Sequence, residues 1–336
     1  MLSRVADSLY WMSRYLERAE HSVRLLEVNL SLMLDESATS AERRWQRVLA
    51  ALGHPKDVEW EGDPYRLSQQ LTFDTAIGSS IVSCIVSARE NARHVREQIS
   101  TEQWHRLNSL YLHVTRKIPD TVMIAEESSI ELEAQAAQSE ERASDFMQTV
   151  MEGVHQFQGV TDSTMSHGEG WQFIQVGRSI ERASATAMLL EVYHHDFWSQ
   201  PDRIPEENEY LEWIGLLRSC TAFEAYCKVY TADLTPDRIL EFLLLDPEFP
   251  HSVRFSIDSL RHAIDAIQGE GGKLRGEQLA RLSGRLRATL GYSQVDEILA
   301  QDVVAFLRGI IHQCHEIHVN LYQNFINYSI QAALAG

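Results

Sequence analysis

Apolar residues recur at spacings of three and four along the first segment, at Leu2, Val5, Leu9, Met12, Leu16, Val23, Leu26, Leu30 and Met33. That period gathers them on one helical face and predicts a single long amphipathic helix over 2–34. The same pattern predicts helices over 41–52, 76–98, 102–117, 129–165, 169–199, 208–231, 236–245, 250–268, 274–291 and 294–331. Breaks fall where helix-breaking residues gather, at 53–65, 117–120, 166–170, 200–205, 246–250 and 269–272. Period-two alternation, the mark of half-buried strands, is almost missing. An all-α fold follows, and no break is long or biased enough to be a flexible interdomain linker.

The pattern also repeats. A shift of 164 lays Arg14, Glu17, Arg18 and Ala19 over Arg178, Glu181, Arg182 and Ala183, and Leu25-Leu26-Glu27-Val28 over Leu189-Leu190-Glu191-Val192. A shift of 168 places Trp45 on Trp213. A shift of 172 places Asp74, Ser80, Ile85, Ser87 and Arg89 on Asp246, Ser252, Ile257, Ser259 and Arg261. At 175, Glu102, Gln103, Arg106 and Leu107 fall on Glu277, Gln278, Arg281 and Leu282. Offsets that grow slowly and stay in order are what a tandem duplication with small insertions leaves. The expectation is a large helical bundle, a single domain over 1–336, built from two pseudo-repeats at 1–165 and 166–336.

Composition narrows the partners. With 48 acidic against 30 basic residues the formal charge is −18, and a field of that sign repels phosphate backbones and anionic lipid. Neither nucleic acid nor a membrane surface is expected. The four cysteines, Cys84, Cys220, Cys227 and Cys314, form no CxxC pair, which points to reduced thiols and a cytoplasmic compartment. Arg4, Asp7 and Arg14 interrupt what would be the apolar stretch of a signal peptide, and no later window is apolar enough for a span.

The sharpest local feature is a charged triplet inside an apolar run. Arg14, Glu17 and Arg18 share one face, as do Arg178, Glu181 and Arg182, among neighbours such as Tyr10, Trp11, Tyr15, Phe173, Ile174 and Ile180. Buried charges need partners, and two arrangements supply them. Either Glu17 pairs with Arg182 and Glu181 with Arg18, locking the halves together. Or the triplets line a polar cavity, where Arg14, Arg18, Arg178 and Arg182 would hold a carboxylate or phosphate while Glu17 and Glu181 handle a proton or amine. Arg89, Glu90 and Arg93 carry the same chemistry in the first half, making Glu90 a third acid–base candidate and Arg89 and Arg93 further binding groups. Glu224 reads as a core carboxylate.

Other chemistry finds less support. Glu102/His105, Glu152/His155 and Glu191/His194 have the Glu-x-x-His spacing of di-iron bundles, and His312, His315 and Glu316 share a face, but not in the HExxH order. A carboxylate/His metal bundle is therefore an alternative, while the leading expectation includes no metal and no cofactor. P-loop, GxGxxG and GxSxG motifs are absent, and Cys84 and Cys220 read as small core residues.

Five ordered blocks carry a family resemblance: SLYWMSRYLERAE at 8–20, the segment Ser87–Ser100 with Trp104 and Leu107-Asn108, VGRSIERA at 176–183, LLRSCTAFEAY at 216–226 and LLLDPEFPHSVRF at 243–255. Together they cover most of the chain, which resembles the alpha-E domain family. The resemblance implies a helical bacterial protein usually encoded beside a circularly permuted ATP-grasp protein of the amide-ligase kind, and often beside a transglutaminase-like peptidase. It thus implies an accessory or substrate-binding component of a peptide or amide synthesis or modification system; the charged triplets add to this the expectation of an acidic peptide or amino-acid ligand held between the repeats. An enzyme acting directly on an amino-acid-like or peptide substrate is the other reading. Long apolar-striped helices such as 294–331 also suit a homo-oligomer.

Overall fold

Two helices carry the architecture because each buries apolar residues on more than one face. The computed structural model describes residues 1–34, 41–54, 58–116, 129–197, 209–231, 233–271 and 276–326, and among these the regular structure is helical throughout. In α1 (Ser3–Leu34), Leu9, Tyr10, Met12, Leu16, Ala19, Val23, Leu25 and Leu26 are all buried, and in α7 (Glu169–Phe197) so are Phe173, Ile174, Val176, Ile180, Ala183, Ala187, Leu189 and Leu190. A helix with so wide an apolar surface has to be surrounded. The two lie against each other at the centre of one continuous core.

Around them stand α2 (Ala41–Ala51), α3 (Pro64–Phe73), α4 (Ile81–His94), α5 (Thr101–Arg116), α6 (Ser129–Thr164), α8 (Glu209–Ser219), α9 (Phe223–Tyr230), α10 (Pro236–Leu245), α11 (Val253–Gly271), α12 (Glu277–Tyr292), α13 (Val295–Leu299) and α14 (Val303–Leu321), closed by a π-helical turn at Tyr322–Ile326. Packing runs in parallel in the two halves. α1 lies against α4 and α6, as α7 does against α11 and α14. α3 and α10 are both ten residues long, both begin on a proline and both end at an aspartate, Asp74 and Asp246. α4 and α11 follow Ser80 and Ser252, whose hydroxyls accept from the backbone of Ser83 and Phe255. No described helix is long and apolar enough to cross a membrane.

Several predicted bounds move. The break at 53–65 hides the start of α3: Asp63 accepts from the amides of Tyr65 and Arg66, with Pro64 in the first helical position, so a pair read as a breaker is a cap. The helix at 76–98 shortens to α4, which starts only after the Ser80 cap. The segment 208–231 divides at Cys220–Ala222, where Thr221 takes a left-handed φ of 51°. There the Ala222 amide bonds the Leu217 carbonyl at 2.7 Å and the Thr221 amide that of Arg218 at 2.9 Å, a helix closure that usually holds glycine. The segment 294–331 divides before Asp302, which caps α14. The turn at 269–272 is replaced by helix as far as Gly271, while the breaks at 117–120 and 200–205 lie outside the described residues.

Ser13 and Gly177, 164 positions apart, mark a close approach of α1 and α7. A Cβ on Gly177 would stand 2.2 Å from Ser13 Oγ and 2.4 Å from the Tyr10 carbonyl oxygen, and that carbonyl belongs to a helix that cannot yield locally. Gly177→Ala is therefore expected to destabilise the protein by about 1–3 kcal/mol through overpacking, although alanine is the better helix former. Urea denaturation measures this; an unchanged or raised midpoint would show that the two helices are free to separate.

Candidate functional site at the crossing of α1 and α7

Beside that contact the two triplets turn toward each other in the interior. Arg14 Nε donates to Glu181 Oε2 at 2.6 Å and Arg18 Nε to Glu181 Oε1 at 2.7 Å, while Arg182 donates through Nε and Nη2 to both oxygens of Glu17, at 2.5 and 2.9 Å. Both glutamates are buried. The motifs thus pair crosswise. Burial pushes the Glu181 carboxyl up, but the Arg14 and Arg18 guanidiniums outweigh it and hold the group below the ordinary range. At Glu17 burial prevails over Arg182, with Glu20 adding repulsion, and the pKa lies above the ordinary value. Symmetry fails at Arg178, which donates to Gln175 Oε1 at 2.6 Å. Arg14 also covers the Trp11 ring at 4.7 Å and donates to the Tyr10 hydroxyl, which bonds His318 Nδ1 at 2.8 Å.

A second exchange joins α2 to α8. Glu212 is fully buried and accepts from Arg44 Nη2 at 2.6 Å and Arg47 Nη2 at 2.5 Å, with Arg47 stacked 4.7 Å from the rings of Tyr193 and Phe197. Sequence reasoning did not single out this cluster. Its signal is two arginines flanking Trp45 and an acid adjoining Trp213, again charges set within apolar stretches.

Next to Glu17 lies a small cavity lined by Glu17, Glu20, His21 and Arg24 of α1, Arg182 and Thr186 of α7, and Ser219, Cys220 and His251. Its volume of about 10 Å³ gives room for about one water molecule. Glu20 accepts from Arg24 Nη2 at 2.7 Å and Gln158 Nε2 at 3.1 Å, and lies 3.2 Å from His155 Nε2. Burial raises its pKa, but His155, Arg182 and Arg24 outweigh this and hold it well below the usual value. His21 Nε2 is buried with no hydrogen-bond partner among the described residues. Burial lowers the His21 pKa to about 4 and drives that of His251 well below 6.5. Glu20, His21 and Arg24 were legible only as polar residues continuing the three-and-four spacing from Glu17.

The remaining candidates sit elsewhere. Glu90 accepts from Arg89 and Arg93 of its own helix at 2.5 and 2.8 Å, on the outer side of α4, and Arg89 covers the rings of Trp104 and Tyr111. Arg93 is 58% exposed and Glu90 half-buried, while Arg89 is largely covered by the two rings, so the trio lies at the rim of the bundle and apart from the crossed pairs. Glu224 is exposed rather than a core carboxylate. Of the Glu-x-x-His pairs, Glu191 pairs with Arg308, His155 faces Glu20 and Glu152 bonds Gln148. Among the described residues no group of three or more His, Cys, Asp or Glu side chains is arranged to hold a metal ion. Cys84 and Cys220 are buried, and burial pushes both thiols up to about 12.

Two outcomes follow from these charges. Glu17→Ala or Glu181→Ala leaves buried guanidinium unpaired and is expected to cost about 3–5 kcal/mol in denaturant unfolding; a loss below 1 kcal/mol would mean that water reaches the lock. His21 and His251 are neutral in the fold below the pH at which they charge in the unfolded chain. The unfolded state therefore binds their protons first, and stability should fall as the pH drops from about 6.5 toward 4. In thermal unfolding between pH 7 and 5, His21→Gln should flatten that dependence.

Against known proteins, the chain is 24% identical over 329 residues to an uncharacterised protein of Mycobacterium bovis and to uncharacterised proteins of two Mycobacterium tuberculosis strains. Each match covers 93% of this chain and 35% of the relative, so this chain spans about a third of the relatives' length. No solved structure matches. Residues 1–326 match the Alpha-E family, described as a predicted alpha-helical domain with a conserved ER motif. Of the four Glu-Arg steps, Glu17-Arg18, Glu42-Arg43, Glu141-Arg142 and Glu181-Arg182, the first and last stand at the centre of the crossed pairs. The chain belongs to the Alpha-E family.

Proposed function

We propose that this chain is a non-catalytic accessory component of an ATP-grasp-linked system that makes or modifies a peptide or amide in the cytoplasm. In this reading Arg14, Arg18 and Arg182 serve the fold, and Glu17 and Glu181 are their counter-ions rather than acid–base catalysts. The observation that carries it is the crossed pairing itself: three of the four motif arginines already donate to a glutamate of the other motif. The adjoining cavity, at about 10 Å³, is also far below the few hundred Å³ that even a small organic ligand needs.

A second module is expected because the relatives carry the matched region inside much longer chains, with about two thirds of each relative outside the match. Its assignment to the ATP-grasp class, with a transglutaminase-like peptidase as a further partner, rests on the alpha-E resemblance. The parallel packing of α1 with α4 and α6 and of α7 with α11 and α14 supports an origin by tandem duplication.

Mixing the purified chain with the ATP-grasp protein encoded in the same genome tests this. A stoichiometric complex by size-exclusion chromatography, with a Kd of about 1 μM or tighter, is expected, together with a rise in the partner's ATP-dependent ligation. Absence of a complex, or turnover of a peptide by the chain alone that Glu17→Gln abolishes, would overturn the reading.

A further inference from the structure

The polar stripe on α1 continues past the crossed pairs. Glu17, Glu20, His21, Arg24, Glu27 and Ser31 follow at three or four residues and share a face. Glu17 is occupied by Arg182, and Glu20 by Arg24 and Gln158. Glu27 and Ser31 then open into a groove of about 440 Å³, whose far wall is the turn between α8 and α9 with Arg218, Thr221 and Glu224. That volume falls within the range of small-ligand pockets. The groove adjoins the inner cavity on both walls: Arg24 and Cys220 face the cavity, Glu27 and Thr221 the groove.

The charges here differ from those of the lock. Glu27, Glu224 and Arg218 make no hydrogen bond or ion pair with a described residue; Arg218 only covers the Phe223 ring, at 5.6 Å. Val28 and Leu32 supply an apolar floor between them. Thr221, a β-branched residue held at φ 51°, fixes the turn that carries Arg218 and Glu224. Such a conformation is strained for a β-branched residue, and strain of this kind gathers at ligand clamps.

Two carboxylates and one guanidinium that make no hydrogen bond with a described residue, in a groove also lined by Val28 and Leu32, match a ligand with two amines, one carboxylate and a hydrocarbon chain; Arg24 draws on Glu27 only at longer range. We propose that the groove between α1 and the α8–α9 turn binds a diamino acid of the lysine type. One ammonium group meets Glu27, the other Glu224, the carboxylate takes the Arg218 fork, and the methylene chain lies on Val28 and Leu32. This site is distinct from the crossed pairs and does not depend on the docking reading.

Isothermal titration of the full chain with L-lysine, norleucine, cadaverine and L-glutamate tests it. Norleucine keeps the chain and removes one amine, cadaverine keeps it and removes the carboxylate, and glutamate carries a second carboxylate on a shorter chain. Lysine should bind, norleucine and cadaverine at least tenfold more weakly, and glutamate not at all. Glu27→Gln and Arg218→Met should each weaken lysine by tenfold or more, and Glu61→Gln, in an exposed pair with Arg66, should leave it unchanged. Arg218 and Glu224 are exposed, so Arg218→Met and Glu224→Gln keep the fold, which circular dichroism checks. No heat with millimolar lysine, cadaverine binding as tightly as lysine, or affinity indifferent to both Arg218→Met and Glu224→Gln would each overturn the proposal.

Discussion

The structure depends on an exchange of buried charge between its two halves. A carboxylate taken out of water costs several kcal/mol unless a partner and its hydrogen bonds follow it, and for Glu17, Glu181 and Glu212 that partner comes from the other half, whereas Glu20 finds its own within the first. Glu17 of α1 is held by Arg182 of α7, Glu181 of α7 by Arg14 and Arg18 of α1, and Glu212 of α8 by Arg44 and Arg47 of α2. Apolar surfaces would tolerate a slide of one helix along another; forked guanidiniums on fixed carboxylates do not. The ion pairs set register, and hydrophobic burial around them supplies the driving force. Gly177 against Ser13 brings the two helices near enough for side chains of ordinary length to reach.

That exchange also explains where reading by sequence succeeds. The all-helical class and the length of the first helix were legible because a 3.6-residue period sustained over thirty positions is hard to mistake. The Arg-x-x-Glu-Arg triplets were legible because charges inside apolar runs demand an explanation. Glu90 shows the limit: its neighbours match the triplets in composition, but Ala88 and Ala92 turn inward on α4 and leave Glu90 at the rim of the bundle. Glu20 and Glu212 were missed for the opposite reason. Their partners are set by packing between segments far apart in the chain, His155 lying 135 residues from Glu20 and Arg44 168 from Glu212.

Local chemistry misled in a consistent direction. Asp63-Pro64 ends a run of breakers and starts a helix, because proline lacks only an amide that the first turn leaves unbonded in any case. Gly269 and Gly271 stay helical within α11, while Thr221, with no breaker's reputation, ends α8. The cost of each glycine within a helix is only about 1 kcal/mol, small enough for the rest of α11 to carry.

The reciprocal placement of charges has a consequence for biosynthesis. A ribosome releases the chain from its amino end, so α1 and α2 emerge with four arginines whose acceptors, Glu181 and Glu212, are not yet made. The leading half can form its helices but cannot bury their inner faces without stranding cations, and closure waits until α8 has cleared the exit tunnel. Assembly is therefore late and long-range, a topology associated with slow folding. A nick in the surface stretch between α6 and α7 would yield two pieces that complement each other rather than two small proteins.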